Sequence, residues 1–101
     1  MRYLVNTDHG DVIVDINPDC KNALDADLLS FQKPTPEILK DLSLEVPLRA
    51  FGAKMVEIVE MVGTGSFSAS PTMLEMMKQE KATSELKRIE RWAKTTYSNE
   101  N

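Results

Sequence analysis

The period of the hydrophobic pattern changes near residue 17, and this change constrains the fold more than any other feature of the sequence. Apolar side chains alternate between residues 2 and 16, as they do in a pair of β-strands. After Pro34 they repeat at three and four residues, as they do in amphipathic helices. The sequence therefore predicts an α+β fold, in which an N-terminal antiparallel β-hairpin packs against three to four short α-helices.

The hairpin is expected over residues 2–16. A two-residue turn at His9-Gly10 pairs Thr7 with Val12 and collects most of the apolar side chains on one face. A three-residue loop would mix the two faces, and a slip of one residue moves every side chain to the other side of the sheet. The hydrophobic pattern therefore favours the two-residue turn.

An isolated two-stranded hairpin leaves two edges with unpaired backbone groups, which is a marginal arrangement in water. Residues 64–70 form either a loop or a third strand that covers one edge. A second copy of the chain or a partner protein would cover the edges otherwise. The open hairpin is thus one reason to expect an oligomer or a complex.

The helical part is expected over residues 18–97, and together with the hairpin it forms a single domain of residues 1–101. Proline at the first helical position and glycine after the last one are typical helix boundaries. Apolar spacing and these boundary residues predict a short helix capped by the Thr35 hydroxyl, a helix over residues 47–62, one that begins at Pro71 and a last one that begins near Thr83 or Ser84; residues 22–31 also have helical spacing. The pattern over residues 22–31 is weak because aspartates interrupt it, and the pattern over residues 47–62 is the strongest.

The formal net charge is −4, and the whole of this excess lies in residues 1–50. An acidic domain is a poor non-specific binder of nucleic acid. With a single cysteine, Cys20, no intramolecular disulfide forms, and no apolar stretch has the length of a membrane span. We therefore expect a soluble cytoplasmic protein that does not contact membranes. The aspartates of the acidic half form either a solvated surface or a mimic of nucleic-acid phosphates; they are Asp8, Asp11, Asp15, Asp19, Asp25 and Asp27.

Methionines at helical spacing, followed by a tryptophan and arginines, indicate a contact surface for another protein. Methionine is unbranched and adaptable, so it recurs on binding surfaces as well as in cores. Apolar anchors surrounded by arginines are typical of the energetic centre of protein interfaces. The predicted partner-binding residues are Met73, Met76, Met77, Arg88, Arg91 and Trp92.

Residues 71–95 also resemble a helix-turn-helix, because two short amphipathic helices are predicted on either side of residues 81–83. The second helix is basic, as a recognition helix must be. Nucleic-acid binding is therefore the alternative function, through Lys87, Arg88, Arg91 and Lys94.

Catalytic and metal-binding chemistry has little support in the sequence. Asp8, His9 and Asp11 surround one tight turn, where side chains diverge, and nothing brings His9 within reach of Cys20. We expect no catalytic residue, no metal and no cofactor. The leading hypothesis is a small non-enzymatic protein-binding module that acts as a regulator, inhibitor or adaptor, with a homodimer as a second option.

Overall fold

A computed structural model describes residues 1–17, 19–24, 27–64 and 68–99. The elements of the described residues are β1 (Arg2–Thr7), β2 (Gly10–Ile16), β3 (Leu29–Gln32), α1 (Pro36–Leu39), β4 (Leu44–Pro47), α2 (Leu48–Val62) and α3 (Pro71–Ser98). The strands form one mixed sheet with the order β3-β2-β1-β4, and α2 and α3 pack on one face of this sheet. The fold is therefore α+β.

The predicted hairpin is confirmed, but its turn lies one residue earlier than expected. Thr7 pairs with Gly10 instead of Val12, so that Asp8 and His9 form the turn. The Thr7 hydroxyl fixes this turn, because it donates to the Gly10 carbonyl (2.6 Å) and accepts from the backbone N–H groups of His9 and Gly10 (3.2 Å each). Each residue now faces a partner two positions away from the predicted one. Since side chains alternate with a period of two, the predicted faces of both strands are preserved.

Two further strands occupy the edges of the hairpin. β3 pairs antiparallel with β2, and β4 pairs parallel with β1. The helix predicted over residues 22–31 is therefore wrong, and residues 18–97 are not entirely helical. The hairpin edges need neither residues 64–70 nor a second copy to cover them. Thr64 and residues 68–70 are not in a strand, and residues 65–67 lie outside the described residues.

β3 forms because its alternating side chains can pack against the neighbouring strand and the helices, which they could not do in a helical conformation. Leu29 and Phe31 lie opposite Ile16 and Val14 and face the helices, whereas Ser30 faces the other side and is exposed. Strand propensity is mostly a matter of such cross-strand packing. The weak helical pattern of these residues is therefore overridden by tertiary contacts.

The core lies between the sheet and the two long helices. Val5, Val12 and Val14 of the central strands pack against Phe51 of α2 and Ile89 of α3, and all five are fully buried. α2 runs over 15 residues and ends at Gly63, whose φ of 97° is in the left-handed region that favours glycine. This confirms the helix and the glycine cap that the sequence predicts for residues 47–63.

The connection from β3 to β4 passes on the opposite face of the sheet. Leu4 and Ile13 are buried on this face, away from the helices. The connection, residues 33–43, must cross β2 and β1 to reach the other edge of the sheet. Arg2 lies two residues before Leu4, so its side chain is on the same face, and Asp41 of the connection lies 3.8 Å from the Arg2 guanidinium. The connection also carries α1, whose predicted cap is confirmed by a 3.2 Å bond from the Ile38 N–H to the Thr35 hydroxyl.

α3 is one continuous helix of 28 residues, and the turn predicted at residues 81–83 is absent. No proline or glycine interrupts the segment, and Ala82 is buried in the core cluster. Lys81 also approaches Glu85 at 3.5 Å, one turn further along the helix. These contacts stabilise the helical conformation at the position where the sequence predicted a break.

Tyr97 packs the last turn of α3 against the hairpin. Its ring covers Gly10, and its hydroxyl donates a hydrogen bond to the backbone carbonyl of Asp11. The Lys33 ammonium lies 5.3 Å from the centre of the same ring. Burial, and next the nearby Asp11 carboxylate, raise the pKa of Tyr97 above its ordinary value.

Candidate functional site

α3 has an exposed face along its whole length and a buried face from Ala82 onwards. Ala82, Glu85, Ile89 and Ala93 face the core, with exposed fractions of at most 3%. On the opposite side, exposed residues recur at three and four positions, so they form one stripe. We call this stripe the outer face of α3; it consists of Met73, Met76, Glu80, Ser84, Lys87, Arg91 and Lys94.

The N-terminal end of the outer face is apolar. Met73 and Met76 lie one turn apart and are each 58% exposed, and the first buried residue of α3 is Ala82. Met61, which is 61% exposed, lies in the last turn of α2. This turn is beside the start of α3, since Lys78 of α3 approaches Glu60 of α2 at 3.6 Å. Three exposed methionines are therefore present at one end of the helix pair.

The C-terminal end of the outer face is cationic. Lys87, Arg91 and Lys94 are exposed and lie at intervals of four and three residues. None of the three has an ion-pair partner among the described residues. Glu90 is the only exposed acid among residues 84–98 of the helix, and Asp8 of the hairpin turn borders the same cleft as Lys87. The cationic end thus has uncompensated positive charge.

Lys87 also borders a surface cleft of about 680 Å³ between α3 and the carboxyl ends of β1 and β4. Arg49 lines the cleft from the first turn of α2, and Asp8 and Glu90 line it as well. Two cations and two acids leave this cleft without net charge. The cleft therefore shows no preference for anions or cations.

Arg88 faces away from the outer face and forms part of an ionic cluster around the buried Glu85. Its guanidinium contacts both carboxylate oxygens of Glu85 (2.9 and 3.0 Å) and lies 3.5 Å from Asp27. It also stacks over Phe31 at 5.3 Å. Glu85 is only 1% exposed, and burial alone would strongly disfavour its charged carboxylate. Arg88 and Lys81 compensate this charge.

The predicted partner-binding residues are therefore divided between two surroundings. Met73, Met76 and Arg91 share the outer face. Trp92 is half-buried and packs against Phe31, with ring centroids 6.1 Å apart, and Met77 is half-buried as well. Sequence reasoning missed Glu85, although lysine four residues before it and arginine three residues after it are the spacing of helical ion pairs.

The alternative nucleic-acid surface loses its helix-turn-helix geometry, since residues 71–95 belong to one helix. Its four cations are also divided. Lys87, Arg91 and Lys94 are exposed on the outer face, whereas Arg88 is paired with Glu85. Any contact with phosphates would have to use the side of one continuous helix.

The polar residues of the hairpin and of the segment after it are held by separate partners. His9 is exposed, and Cys20 is half-buried, with its thiol donating to the Asn22 carbonyl at 3.3 Å. Asp15 is held by Arg2 and Gln32 at 2.9 Å each. Within the described ranges, no group of three or more histidine, cysteine, aspartate or glutamate side chains is arranged to hold a metal ion.

Comparison of the chain with protein-family models, with curated proteins and with solved structures finds no match. Among the described residues, no helix has both the length and the apolar character needed to span a lipid bilayer. The function is therefore inferred from the geometry of this chain alone.

Proposed function

We propose that the protein is a protein-binding module that acts as a regulator, inhibitor or adaptor through the outer face of α3. The observation that carries this proposal is the pair of exposed methionines, Met73 and Met76, at the start of that face. A single exposed apolar residue is ordinary on a protein surface. Here two methionines lie one turn apart on α3, and Met61 adds a third at the end of α2.

Burial of these side chains would favour association. Full burial of a methionine contributes about 1.5–3 kcal/mol, so Met73 and Met76, each 58% exposed, would contribute about 1–2 kcal/mol apiece. The flexible thioether chain adapts to an irregular partner surface. Arg91 on the same face supplies the kind of charged group that surrounds apolar anchors in protein interfaces.

The test is affinity capture from a native lysate with tagged wild-type protein and with the double variant Met73→Ala, Met76→Ala. Both positions are exposed and alanine favours helices, so the variant should fold normally. The matched control replaces two exposed leucines elsewhere, Leu39→Ala and Leu44→Ala. We expect a stoichiometric protein that survives nuclease treatment, is lost with the methionine variant and is retained with the control. Equal recovery with both variants would contradict the proposal.

A second copy of the chain is the simplest partner that this surface could have. Light scattering of the purified protein measures its mass directly. A dimer that the methionine variant converts to a monomer would identify the outer face as a self-association surface.

Nucleic-acid binding is the second candidate function, and the unpaired cations Lys87, Arg91 and Lys94 favour it. The net charge of −4 opposes it, because a negative domain is repelled by phosphates at long range. Salt distinguishes the two functions, since phosphate contacts weaken steeply through counterion release while apolar contacts do not. Recovery that disappears after nuclease treatment would favour this candidate.

A further inference from the structure

We infer that the partner is an acidic protein segment with apolar anchors, which lies lengthwise along the outer face of α3. This inference rests on the proposed function and specifies the chemistry of the partner. It is argued from charge complementarity, because one end of the outer face is cationic and unpaired while the other end is apolar and exposed.

The continuity of α3 fixes the spacing of the two ends. Met76 and Lys87 are eleven residues apart, which is about 16 Å at the helical rise. Lys87, Arg91 and Lys94 then extend over a further seven residues, or about 10 Å. A partner helix of 25 residues, about 37 Å long, would reach from the methionines to the last lysine.

The positive charge at the cationic end calls for carboxylates from outside the chain. Like charges at intervals of three and four residues repel one another, and Glu90 is the only exposed acid among residues 84–98. The other cations of α3 are paired: Lys78 with Glu60 and Glu75, and Lys81 and Arg88 with Glu85. The outer face is therefore where α3 has charges that a partner can neutralise.

An acidic protein fits this surface better than a nucleic acid does. Three cations over about 10 Å neutralise few phosphates, since duplex DNA carries one charge per about 1.7 Å. Single strands are bound with aromatic side chains on which bases stack, but Trp92 packs against Phe31 instead of facing outwards. Met73 and Met76 would also remain exposed beside a polynucleotide.

The test begins with selection of random 25-residue peptides, displayed on a library, against the immobilised wild-type protein. The best peptide is then synthesised, and its affinity is measured by fluorescence anisotropy at 150 mM salt, roughly physiological ionic strength. The charge variant is Arg91→Glu, Lys94→Glu. Its control, Lys21→Glu, Lys40→Glu, makes the same change in net charge at exposed positions outside α3. A single-stranded DNA and a duplex, each of 25 nucleotides per strand, serve as competing probes.

We expect enriched peptides that contain both acidic and apolar residues, and about tenfold weaker binding to the charge variant with little change for its control. The methionine variant should weaken binding to a similar extent. Apolar peptides without acids that bind the charge variant normally would overturn this inference and leave the proposed function standing. Acidic peptides that bind the methionine variant normally would overturn the proposed function. Absence of any enriched peptide would overturn this inference alone, because a folded partner or a second copy of the chain presents no linear segment. Tighter binding of either DNA than of the peptide would overturn both.

Discussion

The contact between Gly10 and Tyr97 makes a strong prediction about the attachment of α3 to the hairpin. Gly10 has a φ of 147°, which side chains rarely adopt, and the ring of Tyr97 lies directly against its Cα. A Cβ added at this position would stand 2.6 Å from Cδ2 and Cζ of that ring. Gly10→Ala must therefore both strain the backbone and displace Tyr97.

The expected cost follows from these two parts. A non-glycine residue held in an unfavourable backbone region costs about 1–3 kcal/mol. Displacement of the ring would also break the hydrogen bond from the Tyr97 hydroxyl to the Asp11 carbonyl, at about 0.5–1.5 kcal/mol. Gly10→Ala should therefore lower the free energy of unfolding by about 2–4 kcal/mol, which is a large share of the stability of a domain of this size.

A double-mutant cycle separates the two parts. In a Tyr97→Ala background no ring opposes the new methyl group, so Gly10→Ala should cost only the backbone strain, about 1–3 kcal/mol. The four proteins are compared by urea denaturation at pH 7. An equal cost of Gly10→Ala in both backgrounds would refute the contact between hairpin and helix. A neutral Gly10→Ala would refute the hairpin register as well.

Three other perturbations test the interior and the continuity of α3. Glu85→Ala leaves Arg88 without its buried partner and should lower the free energy of unfolding by about 2–4 kcal/mol. This is somewhat less than for a fully buried pair, because Arg88 keeps some solvent contact. The control Glu80→Ala, at an exposed position, should change the urea midpoint little. Tyr97 has a raised pKa, so its stabilisation is complete below about pH 10 and is lost as the pH rises through the folded-state pKa. Unfolding free energies measured from pH 8 to 11 should therefore fall more steeply for the wild type than for Tyr97→Phe. Thr83→Pro in the middle of a continuous helix should lower the free energy of unfolding by about 3 kcal/mol or more and reduce the helical circular dichroism. Normal stability of this variant would instead indicate that the helix is interrupted near residue 83.

The sequence predicts the elements whose signals are local. The hairpin follows from the alternation of its apolar residues, and α2 follows from its stripe of apolar residues and from Gly63. The face of each hairpin strand is correct although the turn is displaced, because the displacement moves every pairing by an even number of residues. The Thr7 hydroxyl that fixes the turn acts through contacts that no hydrophobic pattern reveals.

β3 and β4 could not be predicted, because each has only four residues and depends on a distant partner. Glu45 and Pro47 are unusual strand residues that an edge position tolerates. The continuity of α3 was missed for a related reason, since Ala82 is uninformative until the core cluster that buries it is known. In the candidate site, an apolar arc too wide for one neighbour predicts that Met73, Met76 and Met77 are exposed; the first two are, and Met77 is half-buried. The inward direction of Trp92 was not, because it depends on Phe31 in β3.

The unequal cover on the two faces of the sheet determines which parts of the domain open first. Two long helices cover one face, whereas the short connection of residues 33–43 passes over the other face, on which Leu4 and Ile13 are buried. Local opening free energies follow the amount of buried apolar contact that each segment makes. Backbone amide hydrogens of residues 33–43 and of β4 should therefore exchange with solvent through local opening. Those of β1 and β2 should exchange only through global unfolding. A protease or a labelling reagent should therefore react with the folded domain first on the face of the sheet that residues 33–43 cross.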